Sequence, residues 1–192
     1  MDIRGLLLCG GASVRFGRDK LLERMGPTGE AMAVLSARPL LAASDRVLAV
    51  TRPGSVELRA MLEDAGCEVI ETDRTLGGLG SSLAAGVEAS AGAEGWIVAL
   101  ADMPFIRGHT MHLVRDALAS GALVAAPRDR ASGARGHPVG FAQALREELI
   151  AIRGDEGARS VILRHRDSVR LIEVDDPGVA RDIDRPEDLV SR

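Results

Sequence analysis

Seven short apolar runs alternate with six helical patterns, and this alternation constrains the fold more than any other feature of the 192-residue chain. The runs Ile3–Cys9, Arg46–Thr51, Cys67–Glu71, Gly95–Ala101, Leu123–Ala126, Pro138–Ala142 and Val169–Val174 have strand length, and Ile3–Cys9 is continuously apolar after a charged start at Asp2 and Arg4, as expected of a strand covered on both faces. Helical spacing covers 31–43, 56–65, 81–89, 110–120, 142–152 and 158–166. In the second of these, Leu58, Met61, Leu62 and Ala65 form a stripe on a charged helix, and Gly66 supplies its stop. Strand–helix–strand repeats need crossover connections. The chain is therefore expected to be a single α/β domain over 1–192, a three-layer, doubly wound, mostly parallel sheet.

Composition narrows the rest. With 3 Phe, 1 Trp and no Tyr the core must be aliphatic, and a chain of this length buries roughly 70% of the surface its unfolded form exposes. The formal charge of -4 gives no general attraction to nucleic acid or to anionic lipid, so neither is expected as a partner. Any anionic substrate must be captured locally. Cys9 ends one apolar run and Cys67 opens another, so both read as reduced, buried strand residues. No stretch approaches the roughly 20 apolar residues of a membrane span, and the start of the chain does not read as a secretory signal. A cytoplasmic setting is expected.

In open α/β sheets ligands bind beyond the carboxyl ends of the strands. The loops 10–20, 72–82, 102–108 and 127–137 are the ones to inspect. The first is rich in glycine, with Gly10, Gly11 and Gly17, and carries Arg15, Arg18 and Lys20 within six residues. Backbone N–H groups exposed by glycines form a concavity suited to phosphate oxygens, and the three cations suit a triphosphate. The loop fits neither the Walker spacing nor the Gly-x-Gly-x-x-Gly dinucleotide fingerprint. A plain turn with a solvated charge cluster is the alternative. Asp102, at the tip of the run ending in Ala101, is placed either to ligate Mg²⁺ or to cap the turn before Pro104. His109 and His112 lack the further ligands a zinc site needs.

The stretch Leu8-Cys9-Gly10-Gly11-Ala12-Ser13-Val14-Arg15-Phe16-Gly17-Arg18-Asp19-Lys20 resembles the nucleotidyltransferase signature Leu-Ala-Ala/Gly-Gly-x-Ser-x-Arg-Met-Gly-x-x-Lys. It is closest to that of the molybdenum-cofactor guanylyl- and cytidylyltransferase (MobA/MocA-like) family. Cys9 and Phe16 depart from the pattern, both as packing substitutions. The resemblance implies a Rossmann-like, nucleotide-diphospho-sugar transferase type of fold. It also implies a loop in which Leu8, Cys9, Gly10, Gly11, Ala12 and Ser13 bind nucleotide while Arg15 and Lys20 act on the phosphates. Ala101-Asp102-Met103-Pro104 matches the family's metal-binding Asp motif. Asp182-Ile183-Asp184-Arg185-Pro186-Glu187-Asp188-Leu189 resembles its acidic ending, with Arg185 where Thr is usual. That makes Asp184 the second metal carboxylate, with a helix N-cap as its rival role. Gly78-Leu79-Gly80-Ser81-Ser82-Leu83 resembles the segment over the base and ribose, so Gly80, Ser81 and Ser82 are assigned to the nucleotide; capping of the next helix is the alternative for at least one serine. Gly136-His137-Pro138-Val139 and Gly154-Asp155-Glu156-Gly157-Ala158-Arg159 resemble segments of the cytidylyl branch. They make His137 and Arg159 acceptor-side candidates, against a structural turn histidine and a surface arginine. The resemblance spans nearly the whole chain, with one weak section, Glu23–Leu41.

The implied chemistry is in-line attack of an acceptor phosphate oxygen on the α-phosphorus of CTP or GTP, with pyrophosphate leaving. Because the nucleophile is already an anion, the protein needs positioning and charge stabilisation and no general base. The resemblance implies Mg²⁺ as cofactor and molybdopterin as the phosphorylated acceptor, with molybdoenzyme maturation proteins as contacts. Gly10-Gly11 leans toward GTP; Ser81-Ser82, His137-Pro138 and the acidic ending lean toward CTP. A sugar or polyol phosphate is the alternative acceptor, and a non-catalytic nucleotide-binding member of the fold is the third reading.

Overall fold

Residues 1–10, 19–27 and 29–189 are described in a computed structural model of the chain, the side chains of Pro186 and Leu189 apart. The first strand, β1 (Ile3–Leu8), is followed by a small hairpin of β2 (Arg24–Met25) and β3 (Glu30–Ala31). Helix α1 (Met32–Ala43), β4 (Arg46–Thr51), α2 (Val56–Asp64) and β5 (Glu68–Glu71) come next, then α3 (Leu79–Ala89), β6 (Gly95–Leu100) and α4 (Gly108–Ala119). The chain continues through β7 (Val124–Asp129), β8 (Val139–Ala142), α5 (Arg146–Ile150), α6 (Arg159–Arg164) and β9 (Val169–Val174).

The main sheet has seven strands in the order β5-β4-β1-β6-β8-β7-β9. Every pair is parallel except the two that involve β8. No helix lies between Asp129 and Val139, so the chain returns beside β7 without a crossover and must run antiparallel. The alternation of β1 separates the two faces. Leu7 packs with Met32, Leu40, Leu62, Ile97 and Met111 beneath α1, α2 and α4. Leu6 and Leu8 pack with Leu83, Trp96, Val98, Phe141 and Val161 beneath α3, α5 and α6. The buried Trp96 indole N–H donates to Ser90 Oγ at 2.7 Å, so the one indole in the core is satisfied.

The expected three-layer, mostly parallel α/β architecture is the one observed. Some details differ. Ala142 still belongs to the sheet, donating its N–H to Leu123 O, so the helix expected from there is a 3₁₀ turn, Gln143–Leu145, followed by the short α5. Strand β7 runs on to Asp129 because β9 pairs with it along its whole length. The hairpin of β2 and β3 occupies the start of the section 23–41 in which the sequence departs from the family, and α1 takes the remainder. Among the described residues no helix is long and apolar enough to cross a membrane. Cys9 and Cys67 are free and buried, each one residue outside a strand. Burial pushes both thiols up, Cys67 to about 11, so both stay protonated.

Candidate active site

The carboxyl ends of β1, β4 and β6 converge, and three segments distant in sequence meet there on one cation. Lys20 is the first residue of a 3₁₀ turn, Lys20–Leu22, whose N-cap Asp19 accepts from Leu21 N–H. Its ammonium donates to Asp102 Oδ2 at 2.8 Å, to Asp184 Oδ1 at 3.1 Å and to the Ile183 carbonyl at 2.6 Å. Lys20 is 6% exposed. Burial alone would lower its pKa; the hydrogen bonds and charges of Asp102 and Asp184 outweigh that and hold it above its ordinary value. The site therefore keeps a charged ammonium at neutral pH.

Asp102 is placed by the chain on both sides of it. The Ala101 N–H donates to Leu8 O, extending the β1–β6 ladder, and the Ala101 carbonyl accepts from buried Ser36 Oγ at 2.9 Å. The Asp102 carbonyl accepts from Ile183 N–H at 3.0 Å, fastening the chain's 182–184 segment across the end of β6. Asp188, not Asp184, accepts from backbone at the following turn, taking the N–H groups of Asp184 and Arg185 on Oδ2. The Asp184 carboxylate is directed to Lys20.

Two clefts open at this edge of the sheet; Asp102 lines the first, and Leu8 and Leu79 belong to both. The first, of about 380 Å³, is lined by Gly10, Arg52, Thr75, Gly78, Ser82, Asp102 and Asp155 among others. The second, of about 510 Å³, is mostly apolar, with Val98, Val139, Phe141 and Ile162, and carries Arg135, His137 and Arg159. His137 donates its backbone N–H to Val179 O at 2.8 Å, and its Nδ1 lies 3.3 Å from Val98 O. A carbonyl only accepts, so this contact requires Nδ1–H and leaves Nε2 as an acceptor. Burial lowers the His137 pKa, against the Val98 carbonyl and the charges of Asp102 and Asp182, so the ring is neutral at pH 7. Arg159 opens α6 and is exposed at the second cleft.

Leu8, Cys9 and Gly10 lie where β1 opens toward the clefts, while Gly11, Ala12, Ser13 and Arg15 fall outside the described residues. Of Gly80, Ser81 and Ser82, only Ser82 lines the first cleft. Gly80 N–H donates to Gly154 O, and Ser81 Oγ accepts from Gly154 N–H, so both hold the 152–154 segment. Neither serine caps α3 with its side chain. That helix begins at Leu79, two residues before the expected start, so both hydroxyls fall within its first turns and donate back to Gly77 O and Gly78 O. Sequence reasoning missed Arg52, Thr75 and the Ile183 carbonyl. Arg52 follows β4 at its carboxyl end, where the rule about ligand position in such sheets points; the carbonyl carries no side-chain signal.

Asp102 and Asp184 also suit a divalent ion. Both carboxylates reach one point, are partly exposed, and offer the hard oxygens Mg²⁺ prefers, with phosphates and water to complete its shell. A doubly wound sheet whose carboxyl edge carries a buried lysine, two acids and a glycine-rich start defines a nucleotide-handling α/β enzyme fold. The chain belongs to the MobA-like NTP transferase domain family, whose model matches residues 5–169. It is 34% identical over 127 residues to the bifunctional protein GlmU of Xanthobacter autotrophicus, 61% of this chain, and spans about a quarter (26%) of that protein's length. Rv0371c from Mycobacterium tuberculosis superposes with a TM-score of 0.85 at 23% identity, covering 98% of this chain and 95% of that one. Its complex with manganese gives 0.79 at 22% identity, covering 98% and 96%. The 4-diphosphocytidyl-2C-methyl-D-erythritol synthase of Anaerococcus prevotii gives 0.73 at 12% identity, covering 98% and 92%. At these identities the structures show the fold alone.

Proposed function

We propose that the chain transfers CMP, or GMP, from the nucleoside triphosphate to the phosphate of molybdopterin, releasing pyrophosphate. The observation that carries the proposal is Lys20, a buried ammonium held between Asp102 and Asp184; Asp102 lines the first cleft, whose junction with the second is formed by Leu8 and Leu79. A triphosphate in the first cleft brings its α-phosphorus to that junction, and an acceptor phosphate approaches from the second. Lys20 offsets charge on the phosphates, with Arg15 assigned the same role by the family signature. Asp102 and Asp184 would hold Mg²⁺, which when bound neutralises phosphate charge; that Rv0371c, similar in fold, forms a complex with manganese supports use of a divalent ion. No general base is needed, because the acceptor phosphate is already ionised.

In the second cleft, Arg135 and Arg159 supply charge for a phosphorylated acceptor, neutral His137 supplies an acceptor atom, and the apolar wall suits a flat ring system. The erythritol-linked name of the Anaerococcus prevotii protein supports a second reading, with a sugar or polyol phosphate as the acceptor. Thermal shift with CTP, GTP, ATP and UTP plus Mg²⁺ tests the nucleotide half. A ligand at 100 times its Kd stabilises by about 2.7 kcal/mol. A shift with CTP alone supports the cytidylyl reading, GTP alone selects the guanylyl one, and no shift with any of the four contradicts both.

A further inference from the structure

The segment 153–157 forms part of the boundary between the two clefts. Asp155 lines the nucleotide cleft, whereas Glu156, Gly157 and Arg159 line the acceptor cleft. The segment is anchored from beneath: Gly154 N–H reaches Ser81 Oγ, and Gly80 N–H reaches Gly154 O at 2.8 Å. Gly80 is itself pressed on Ile152, where an added Cβ would stand 2.5 Å from a side-chain carbon. Gly78 has a positive φ of 94°, and a Cβ there would stand 1.9 Å from Asp155 Oδ1. The carboxylate thus lies against bare backbone, in a place kept open by the absence of a side chain. Among the described residues it has no hydrogen bond or ion pair.

We infer that Asp155 reads the ribose of the bound triphosphate, accepting hydrogen bonds from its 2′- and 3′-hydroxyls. This rests on the nucleotidyltransferase reading above. A carboxylate in a cleft for a polyanion repels phosphates, so it must face the part of the ligand that carries donors. Those donors are the sugar hydroxyls and the amino groups of the base. Position decides between them. Attack occurs at the α-phosphorus, at the junction of the clefts, and the ribose is the group attached to that phosphorus through its 5′-oxygen. A residue on the boundary between the clefts is therefore beside the sugar. The base lies further along, toward Arg52 and Leu76.

Calorimetric titration of the full chain with CTP, UTP, GTP and the 2′-deoxy and 3′-deoxy analogues of CTP and GTP, in the wild type and in Asp155→Ala, tests this. Hydrogen bonds to a charged group correspond to roughly ten- to hundredfold in affinity. The wild type should prefer the ribonucleotide by about that factor. In Asp155→Ala the ribonucleotide should weaken to the level of the deoxy analogues, which themselves bind no more weakly than to the wild type. An unchanged melting temperature establishes that the variant is folded, and Asp155→Asn, keeping one acceptor oxygen, should fall between the two. Equal affinity of wild type for ribo- and deoxynucleotides overturns the assignment and leaves the nucleotide reading standing. A variant that alters the ratio of CTP to UTP affinity and not the ribose ratio overturns it in favour of the base. Failure of every triphosphate to bind the wild type overturns the nucleotide reading, and this assignment with it.

Discussion

At the scale of single residues, the site depends on one ammonium shared by two acids and a carbonyl. Lys20→Ala or Asp102→Asn removes an electrostatic group of the kind whose loss costs on the order of 3–4 kcal/mol, about 10²–10³ in turnover. Steady-state pyrophosphate release checks this, and wild-type turnover in both variants contradicts the assignment. The Lys20 pKa is raised, so the stabilisation from its ion pairs is fully present below the ordinary lysine value of about 10.4 and is lost only as pH rises through the higher folded value. Thermal denaturation of wild type and Lys20→Met should therefore show a constant gap from pH 6 to 9 that closes above about pH 10.4. A second carboxylate gives the opposite sign. The Ser132 hydroxyl and N–H groups, with the Asp176 N–H, hold Asp129 below the usual carboxylate range. Its contribution is present above the unfolded carboxyl value of about 3.9 and is lost as pH falls through the folded one. Acid unfolding should begin at a higher pH relative to neutral stability in wild type than in Asp129→Asn, whose stability should vary less with acid. Lys20 was legible from its place in the signature and Asp102 from its place after an apolar run. Their convergence with the Ile183 carbonyl was not, because a backbone oxygen leaves no trace in residue type.

At the scale of elements, the segment 176–184 ties the two clefts together. Asp176 is 2% exposed. Its carboxylate accepts from Arg107 N–H, Thr110 Oγ1 and Gly178 N–H. Val179 O then receives the His137 N–H, and Ile183 N–H reaches Asp102 O. Both walls of the site are thus registered by one strap. Gly136 fits it only without a side chain, since a Cβ would stand 1.6 Å from Val179 O. Gly136→Ala should cost about 1–3 kcal/mol, as overpacking does, lowering Tm by roughly 3–10 °C. Because the displaced strap carries both Asp184 and the His137 contact, turnover should fall with it; an unchanged Tm and turnover would contradict the strap. The acidic ending pointed to this region as a source of a metal ligand. Its part in holding His137 was hidden, since it depends on contacts between residues more than 40 apart in sequence.

At the scale of the whole molecule, the alternation of apolar runs and helical stripes was enough for the architecture, because each strand buried on both faces is almost purely apolar. Arg46–Thr51 coincides with its strand for this reason, whereas Val169–Val174, an edge strand, mixes apolar and charged residues. What the pattern could not give was strand order, the antiparallel β8 and the β2–β3 hairpin, whose two-residue strands are too short to show a period. The clefts were legible only as loops; that 153–157 borders both came from its packing on α3. The central claim is that the Lys20–Asp102–Asp184 junction joins a nucleotide to an acceptor phosphate. Pyrophosphate release from CTP and GTP, measured with Mg²⁺ and purified molybdopterin in wild type and Lys20→Ala, tests it most directly. Release that needs one triphosphate, Mg²⁺ and molybdopterin together, and that falls at least a hundredfold in the variant, is the predicted result. No release under any combination of these, or release unchanged by Lys20→Ala, would contradict it.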